Sequence, residues 1–562
     1  MTMRHGLRSQ ILTCALAAAA CSSSSSQTGD ATPHGDGAND GGPVIPTASS
    51  WLGVNVAGDL PWADITHQLS PFDTAATQRD AAGYPVAGAS GASQTDMGFV
   101  LPTGTYNISY KGTGTLAVSG IASVDGPWQA VSDEQRATLS ITGTPGAFGN
   151  FLRLQITNAP GQTVTDVHVY FPGVAYDTSA PFLPRFLQLL APFKTMRFMG
   201  WQNTNGSALA SWADRASPAQ FGAQAGGVPV ELIAELVNET GKDAWLCVPE
   251  HATDDFIHSF AQQLGASLDF DRIAAARHAT GLTTPFELIV ENSNENWNTG
   301  FSAYQTFLTA ANADVARYTG VYDGTYGPSF MSGSGDLMRV GQYEADRLTK
   351  IGQIFRQELG AHADSVAPVL SGWALGAVYS DVGLRFIQAN YGDPKQYVRY
   401  IAQAPYFSPD DAQTGALDTL FTSANANIAS MDATFTDFAQ LGSDYGIAIA
   451  AYEGGQGMGG TTNQPIKHLA QHDQRMYDTY TAYYARWKQH FGKSLFCHFE
   501  LAGTPGVPEF IFQYGYWGSI ISLQEDPAVC EPDLPTLTGS EEIQSVIHHC
   551  PKYRALAEQA LP

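Results

Sequence analysis

Two segments of this sequence carry the residue types that chemistry on a sugar needs. In the first, residues 286–298, an apolar run (Leu288 to Val290) leads into a cluster of carboxylates, amides and an indole. In the second, the apolar run Ile447 to Ala451 is followed by Tyr452 and Glu453. Carboxyl groups can transfer protons, amides can bind hydroxyls, and a flat ring can stack on a sugar. Two carboxylates at the ends of two buried strands are what cleavage of a glycosidic bond requires.

Strands that alternate with helices from about residue 174 onward predict a parallel sheet that positions these groups. Seven strands are predicted, at Thr195 to Met199, Ala244 to Val248, Glu287 to Val290, Val366 to Leu370, Tyr397 to Ile401, Ile447 to Ala451 and Leu495 to Phe499. Helices are predicted between them, including Phe182 to Leu190, Phe256 to Leu264, Gln342 to Leu359 and Leu417 to Leu441. An eighth strand is available at Leu52 to Val56. The predicted fold class is therefore α/β, a (β/α)8 TIM barrel with an additional all-β domain.

The all-β domain is predicted from a run of short alternating strands separated by Gly, Pro and Asn turns, as in a small sandwich. The predicted divisions are 51–95 for the first barrel strand and its connection, 96–173 for the β-rich accessory domain, and 174–562 for the barrel with a C-terminal extension. In this interpretation the β-rich domain interrupts the barrel. The alternative is that residues 52–56 belong to the sandwich and that the barrel is assembled otherwise.

The barrel prediction makes a geometric statement about the two carboxylates. Active sites in this fold lie at the C-terminal ends of the strands. Glu295 follows the predicted fourth strand and Glu453 the predicted seventh. Both carboxylates are therefore expected at the same mouth of the barrel.

These residues resemble the signatures of a large clan of retaining glycoside hydrolases built on (β/α)8 barrels. In that clan the acid/base Glu follows an Asn after strand four, as in Asn294-Glu295, and the nucleophile Glu ends strand seven, as in Tyr452-Glu453. The wider pattern Asn-Glu-x-Trp-Asn also resembles a group of bacterial proteins, some labelled cellulose-binding or cellulase-like. The resemblance covers residues 174 to 520. It implies that Glu295 is the acid/base, that Glu453 is the nucleophile, and that Asn294 binds the sugar 2-hydroxyl.

The resemblance also implies supporting roles at other strand ends. Arg197 is expected to keep the nucleophile ionised, and Tyr406 is expected to hydrogen-bond it. The sequence departs from the clan in two places, because the usual His near this Tyr is absent and because His498 and Glu500 stand where the clan usually has a Trp. Two alternatives stay open: Arg197 could form a salt bridge unrelated to catalysis, and Glu291 could be the acid instead of Glu295.

Further polar and aromatic residues follow the predicted strands and are expected to line the cleft as substrate-binding groups. These candidates are Trp201, His251, Trp297 and His498, with Asn203 and Asn205 as neighbours. A loop rich in Tyr and Gly, residues 318–335, is expected either to form a wall or lid of the cleft or to be a surface insertion.

The charge and the cysteine spacing limit the kinds of partner that the chain is expected to bind. The formal net charge of −25 argues against binding to nucleic acid, which needs a basic surface. No spacing of Cys and His resembles a structural zinc site, and no metal or organic cofactor is implied. The expected partner is a carbohydrate substrate, and the chain is expected to act as a monomer.

The six cysteines are assigned separately. Cys14 would be lost with a signal peptide. Cys247 and Cys497 lie in apolar strand-like runs and are expected to be buried thiols. Cys530 and Cys550 lie in a Pro-rich C-terminal segment, where an oxidising compartment would favour a disulfide between them.

The first residues are interpreted as a targeting signal. A positive region containing Arg4 and Arg8 precedes a short apolar stretch, and residues 1–20 end immediately before Cys21. This pattern resembles the bacterial lipoprotein signal, in which the Cys is lipidated after cleavage. Residues 21–50 are expected to form a flexible Ser/Gly/Asp-rich tether. The chain is thus expected in the cell envelope, lipid-anchored at the outer membrane because Ser22 follows the Cys, and the alternative is plain secretion.

The predicted function is a retaining glycoside hydrolase that acts on a poly- or oligosaccharide outside the cytoplasm. The first rival is a glycan-binding surface lipoprotein without catalysis, although such a protein would have no need of both Glu295 and Glu453. The second is a cell-surface interaction protein whose sandwich domain carries the function. The sugar, the linkage and endo or exo action are not specified by the sequence.

Overall fold

A computed structural model describes residues 50–56, 61–72, 79–86, 93–97, 101, 104–141, 152–176, 178–322, 324, 326, 335–374, 376–503, 515–520 and 550–559. The predicted signal peptide, Cys21, nearly all of the tether and Cys530 lie outside these ranges. None of the helices in the described ranges has the length and apolar character needed to cross a bilayer.

Eight parallel strands form a closed barrel, as predicted. They are β1 (Leu52–Asn55), β9 (Thr195–Arg197), β10 (Asp243–Val248), β11 (Leu288–Asn292), β12 (Val366–Ser371), β13 (Tyr400–Gln403), β14 (Ala448–Ala451) and β15 (Phe496–His498). Strand β1 closes the barrel between β15 and β9, with Gly53 opposite both Cys497 and Thr195. A Cβ on Gly53 would lie 2.6 Å from the Cys497 Sγ, so this close approach needs glycine. The first barrel strand therefore precedes the β-rich segment.

Alternation along the strands divides the barrel residues into two layers. Outward residues such as Met196, Leu246 and Val290 pack against the helices in the main core. Inward residues form a smaller core that fills the barrel, with Trp245 and Ile289 at its centre. Both faces of each strand are buried, which explains why these strands are near-continuous apolar runs in the sequence.

Helices surround the barrel. They are α1 (Pro184–Leu190), α2 (Val230–Thr240), α3 (Asp254–Ser267), α4 (Phe270–Ala279), α5 (Ser302–Ala313), α6 (Gly335–Leu359), α7 (Val378–Asn390), α8 (Leu417–Ser430), α9 (Asp432–Tyr445), α10 (Gln464–His472), α11 (Gln474–Phe491) and α12 (Pro551–Glu558).

Most predicted elements differ from the structure by a few residues at their ends, and two differences have a clear local cause. The helix predicted over Leu417 to Leu441 is two helices, because the first ends at Ser430, Met431 caps both, and Asp432 begins the next with an acidic first turn. The sixth barrel strand begins at Tyr400 instead of Tyr397, because a 3₁₀ turn, Pro394–Gln396, occupies the preceding residues.

The β-rich segment forms two antiparallel sheets. One has the strand order β2 (Ser93–Met97), β7 (Leu152–Thr157), β4 (Thr115–Gly120). The other has the order β5 (Ala122–Val131), β6 (Glu134–Ile141), β3 (Gly104–Gly112), β8 (Val164–Tyr170). Alternate residues such as Ile108, Leu139 and Leu154 form a separate apolar core. Strand β2 places the start of the β-rich part a few residues before the predicted boundary at 96.

An aromatic and ionic joint connects this segment to the barrel. The Asp64 carboxylate accepts a hydrogen bond from the Val169 backbone N at 3.0 Å and contacts the His168 Nδ1 at 2.7 Å. The Trp62 ring stacks on Trp201 with centroids 5.2 Å apart, and it also contacts Phe182. The chain between β1 and β9 is thus held to the barrel where it leaves and where it returns.

Candidate active site

Glu295 and Glu453 both lie at the C-terminal mouth of the barrel, directly after β11 and β14. The turn after β11 contains two non-glycine residues with positive φ, Ser293 (64°) and Glu295 (43°). Such conformations are costly and are concentrated at functional sites. Only 7% of Glu295 and 5% of Glu453 is exposed, so both carboxyl groups are largely removed from water.

Glu453 is held by a cation and a phenol. Its Oε1 accepts a hydrogen bond from the Arg197 Nη1 at 2.8 Å, and its Oε2 accepts one from the Tyr406 hydroxyl at 2.9 Å. Burial raises the pKa of Glu453, whereas the charge of Arg197 and the Tyr406 hydrogen bond oppose that rise. These are the two contacts that the resemblance implies for a nucleophile.

Glu295 has a different environment. Its Oε2 accepts a hydrogen bond from the Asn298 Nδ2 at 3.0 Å, and the Tyr452 hydroxyl lies 3.5 Å from its Oε1. Burial, followed by the charge of Glu453, raises the pKa of Glu295 to about 8. Burial and the charge of Glu453 thus favour the protonated form of Glu295.

Glu291, the alternative candidate for the acid, lies below the pair inside the barrel. Its Oε2 accepts hydrogen bonds from Arg197 (Nε, 3.1 Å; Nη2, 2.8 Å) and from the Trp245 Nε1 at 2.8 Å. With 1% of its surface exposed, it is committed to Arg197 instead of the cleft. This geometry favours Glu295 as the acid.

Two asparagines complete the coordination of the Arg197 guanidinium. The Asn294 Oδ1 accepts from Nη2 at 2.8 Å, and the Asn55 Oδ1 accepts from Nη1 at 3.0 Å. Asn294 in turn donates to the Asn205 Oδ1 at 3.0 Å. Asn55 also donates to the carbonyls of Tyr452 and His498, at 3.0 and 3.2 Å. The prediction missed Asn55, although a polar residue that ends an apolar strand was the signal that could have identified it.

A second layer of polar groups supports the turn that carries Glu295. The Asn292 Nδ2 donates to the Glu344 Oε2 of α6 at 2.6 Å. The Asn296 Nδ2 donates to the Asn292 carbonyl at 3.2 Å, and its Oδ1 accepts from the Tyr379 hydroxyl at 2.6 Å. Burial raises the pKa of Glu344 well above its usual range, which favours the neutral carboxyl acting through hydrogen bonds.

Partly exposed aromatic rings lie beside each carboxylate. The Trp297 Nε1 donates to the Tyr452 hydroxyl at 3.2 Å, and its ring stacks with Trp373. On the other side, Tyr406 meets the edge of Phe499, which in turn contacts Trp517. Trp297 and Tyr406 were predicted at the cleft, whereas Trp373 and Trp517 were not.

Two predicted cleft residues lie elsewhere. Trp201 is buried in an aromatic cluster with Trp62 and Phe186, where its large apolar ring is fully covered. His498 is buried against Tyr480 and Tyr484 of α11. Because side chains alternate along a strand, Cys497 points into the barrel and His498 points outward. Neither side chain is placed to touch a substrate.

The structure describes His251 and part of the Tyr/Gly-rich loop. The His251 side chain is 46% exposed, and its Nε2 lies 3.4 Å from the Glu250 Oε1, so its substrate-binding role stays a prediction. In the described part of the loop, Tyr318 bonds to Asp346 of α6 and Tyr322 bonds to Asp381 of α7. These tyrosines pack on the helices around the barrel, and their contacts give no support for a lid.

The structure describes three of the six cysteines, Cys247, Cys497 and Cys550. Cys247 and Cys497 are buried free thiols, as predicted. Cys550 is disulfide-bonded, but Cys530 lies outside the described residues and the pairing stays a prediction. Within the described ranges, no group of three or more His, Cys, Asp and Glu side chains could hold a metal ion.

Comparison with known proteins leaves the family open. No family model matches the sequence, and no curated protein matches it. Similar solved structures include the CBM22-1–GH10 modules of an endo-1,4-beta-D-xylanase 10B from Clostridium thermocellum, crystallised with xylohexaose. That structure has 13% identity and a TM-score of 0.36 over 86% of this chain and 89% of that one.

Two other similar structures are an endo-beta-1,4-mannanase from Cellulomonas fimi and a beta-glucuronidase from Bacteroides uniformis. The mannanase has 13% identity and a TM-score of 0.25, covering 56% of this chain and 62% of that one. The glucuronidase has 9% identity and a TM-score of 0.30, covering 80% and 50%. Likenesses this weak carry no argument about function, which has to come from the side chains at the barrel mouth.

Proposed function

We propose that this chain is a retaining glycoside hydrolase in which Glu453 is the nucleophile and Glu295 the general acid/base. The observation that carries the proposal is the unequal environment of two buried carboxyl groups at one barrel mouth. Glu453 is paired with Arg197 and Tyr406, whereas burial and the neighbouring charge keep Glu295 protonated. Two titratable groups whose environments separate their pKa values are the arrangement that acid and nucleophile roles need.

The reaction would proceed in two displacements. Glu453 attacks the anomeric carbon while Glu295 donates its proton to the leaving oxygen, so that the glycosidic C–O bond breaks and a glycosyl ester forms on Glu453. Glu295, now ionised, then takes a proton from water as the water attacks the same carbon and releases Glu453. Arg197 and Tyr406 would stabilise the Glu453 carboxylate before attack and after release.

The test is a screen of wild-type protein and a Glu453→Gln variant on a panel of β-glucans, xylans and mannans, with analysis of the products. We expect wild type to release sugars from at least one polysaccharide and the variant to release none. Glu250→Gln is a matched control, because Glu250 is also buried near the mouth but bonds to Ser302 and Thr306 of α5. Binding of the same polysaccharides by wild type and variant without any cleavage would instead indicate a non-catalytic glycan-binding protein.

We further propose that the protein is anchored in the bacterial envelope through a lipid on Cys21. The support is the sequence pattern of a charged start, a short apolar stretch and a Cys followed by a polar tether. Cys21→Ser should move the protein from the membrane fraction to the soluble fraction. Unchanged membrane association of this variant would contradict the anchor.

A further inference from the structure

The ten tryptophans of this chain divide by exposure and place. Five are buried: Trp51, Trp62, Trp201, Trp245 and Trp487. The other five are only partly buried, and three of these, Trp297, Trp373 and Trp517, lie at the barrel mouth. Partly exposed indoles beside candidate catalytic groups need a reason, because apolar rings gain free energy when they are covered.

One aromatic group is connected to Glu295. The Trp297 and Trp373 rings stack with centroids 6.1 Å apart and planes inclined by 22°. The Trp297 Nε1 donates to the Tyr452 hydroxyl at 3.2 Å, and that hydroxyl lies 3.5 Å from the Glu295 Oε1 and 3.4 Å from the Gly372 carbonyl. Because Trp373 directly follows Gly372, both indoles lie close to the acid.

A second aromatic group is connected to Glu453. Tyr406, which donates to Glu453, meets the edge of the Phe499 ring at 6.3 Å between centroids. Phe499 contacts Trp517 at 5.6 Å. Trp517 is brought here by backbone pairing, since the Glu500 N donates to the Trp517 carbonyl at 3.3 Å and the Ser519 N donates to the Glu500 carbonyl at 2.8 Å.

In the proposed mechanism, the two groups belong to opposite sides of the bond to be broken. The acid protonates the oxygen of the leaving sugar, so the rings next to Glu295 lie on the side of the leaving sugar. The nucleophile attacks the sugar that becomes bonded to the enzyme, so the rings next to Glu453 lie on the side of that sugar. Flat aromatic rings with a few polar groups are the surfaces that bind ring-shaped ligands in a defined orientation.

We propose that Trp373 with Trp297, and Trp517 with Phe499, bind sugar residues on the two sides of the scissile bond. The substrate is accordingly a polysaccharide chain that extends through the mouth and is cut internally. This inference rests on the proposed function and deepens it, because neither endo action nor the roles of Trp373 and Trp517 follow from the carboxylate pair alone.

The experiment measures binding apart from turnover. In the Glu453→Gln background, calorimetry determines Kd for cellohexaose, xylohexaose and mannohexaose, and the tightest is taken forward. Trp373→Ala and Trp517→Ala should each weaken hexaose binding by about tenfold, as expected for the loss of one ring–sugar contact. Trp128→Ala is the matched control, because Trp128 is a partly buried tryptophan in strand β5 of the β-rich segment and its removal should leave Kd unchanged.

Leucine variants guard against misfolding. Trp373→Leu and Trp517→Leu keep an apolar side chain but lack a flat face, and they should also bind the hexaose more weakly while unfolding at the temperature of the parent protein. In the active enzyme, a hexaose labelled at its reducing end should be cut at internal bonds. Trp373→Ala should move the preferred cleavage position along the chain.

The outcomes separate the two proposals. Release of single sugars from one chain end, or hexaose binding that is unaffected by both Trp373 and Trp517 substitutions, would overturn this inference while leaving the hydrolase intact. Failure of wild type to cleave any polysaccharide or hexaose would contradict the proposed function and this inference with it.

Discussion

The two ends of the barrel differ in whether cations or carboxyl groups are in excess. At the N-terminal end, Asp243 and Glu287 are surrounded by cations: Lys194 lies 2.9 and 3.1 Å from them, Arg277 lies 2.8 Å from Asp243, and Arg399 lies 3.0 Å from Glu287. Two carboxylates thus meet three cations. This network closes the bottom of the barrel and contributes to stability only while it stays complete.

At the C-terminal mouth the balance is reversed. Three carboxyl groups, those of Glu291, Glu295 and Glu453, lie near the Arg197 guanidinium, which bonds to Glu291 and Glu453. Burial, followed by the charges of Glu453 and Glu291, raises the pKa of Glu295 to about 8. Under the proposed mechanism, one end of this barrel contributes to stability and the other to proton transfer, in keeping with the position of active sites in this fold.

The largest expected effect is at the mouth. Glu453→Ala should lower turnover of any confirmed substrate by at least about 10⁴-fold, because it removes the carboxylate that attacks the anomeric carbon in the proposed mechanism. Azide should restore part of the activity by entering the space left by the carboxylate and forming a glycosyl azide. Wild-type rates in the alanine variant would remove Glu453 from the mechanism.

The matching change at the bottom should act on folding. Asp243→Asn leaves Lys194 and Arg277 without their shared carboxylate and should lower the free energy of unfolding by about 3–5 kcal/mol. Denaturant titration measures this loss. The kcat of the molecules that remain folded should be unchanged. A large loss of kcat with normal stability would contradict the division between the two ends.

A pH titration distinguishes the two ends further. Because the pKa of Glu295 is raised to about 8 in the folded protein, the folded state keeps a proton that the unfolded chain has lost above about pH 4.3. Stability should therefore fall as pH rises from about 4.3 to 8, by up to about 1.4 kcal/mol per pH unit. Glu295→Gln should remove this part of the decline, as thermal unfolding at several pH values can show. An identical pH dependence in wild type and variant would mean that Glu295 titrates normally.

The smallest effect on kcat is expected for substitutions of Glu344, which bonds to Asn292 at the end of β11. Glu344 is a positioning residue that acts on Glu295 through Asn292 and the turn. Since burial raises the pKa of Glu344 and favours its neutral form, Glu344→Gln should keep kcat within about threefold, a change of under about 1 kcal/mol. Glu344→Leu should lower kcat by about 10- to 100-fold through misplacement of Glu295, and it should shift the alkaline limb of the pH–rate profile. Equal loss in both variants would show that Glu344 does more than position the turn.

The sequence predicted the features that depend on local pattern. Apolar runs bounded by polar clusters identified the barrel strands, and the residues just after β11 and β14 identified Glu295 and Glu453. The contacts of Arg197 and Tyr406 with Glu453 were expected from the resemblance and are present.

The features that the sequence did not predict depend on register and on distant segments. Asn55 reaches the site because β1 pairs with both β9 and β15. Trp517 reaches it through backbone pairing with the segment after β15. The prediction that His498 lines the cleft was wrong, because the type of a residue at a strand end does not indicate which face of the strand carries its side chain. A shift of one residue reverses that face. Trp201 was misplaced because its partners, Trp62 and Phe186, come from other parts of the chain.

The stereochemistry of hydrolysis tests the central claim most directly. Proton NMR of the first product, recorded before mutarotation, reports the anomeric configuration of the newly released sugar. Attack by Glu453 followed by attack of water predicts retention, with the carboxyl groups about 5–5.5 Å apart. An inverted product would require a water between carboxyl groups about 6.5–9.5 Å apart, or the replacement of one of the pair by Glu291 or Glu500, and would contradict the mechanism.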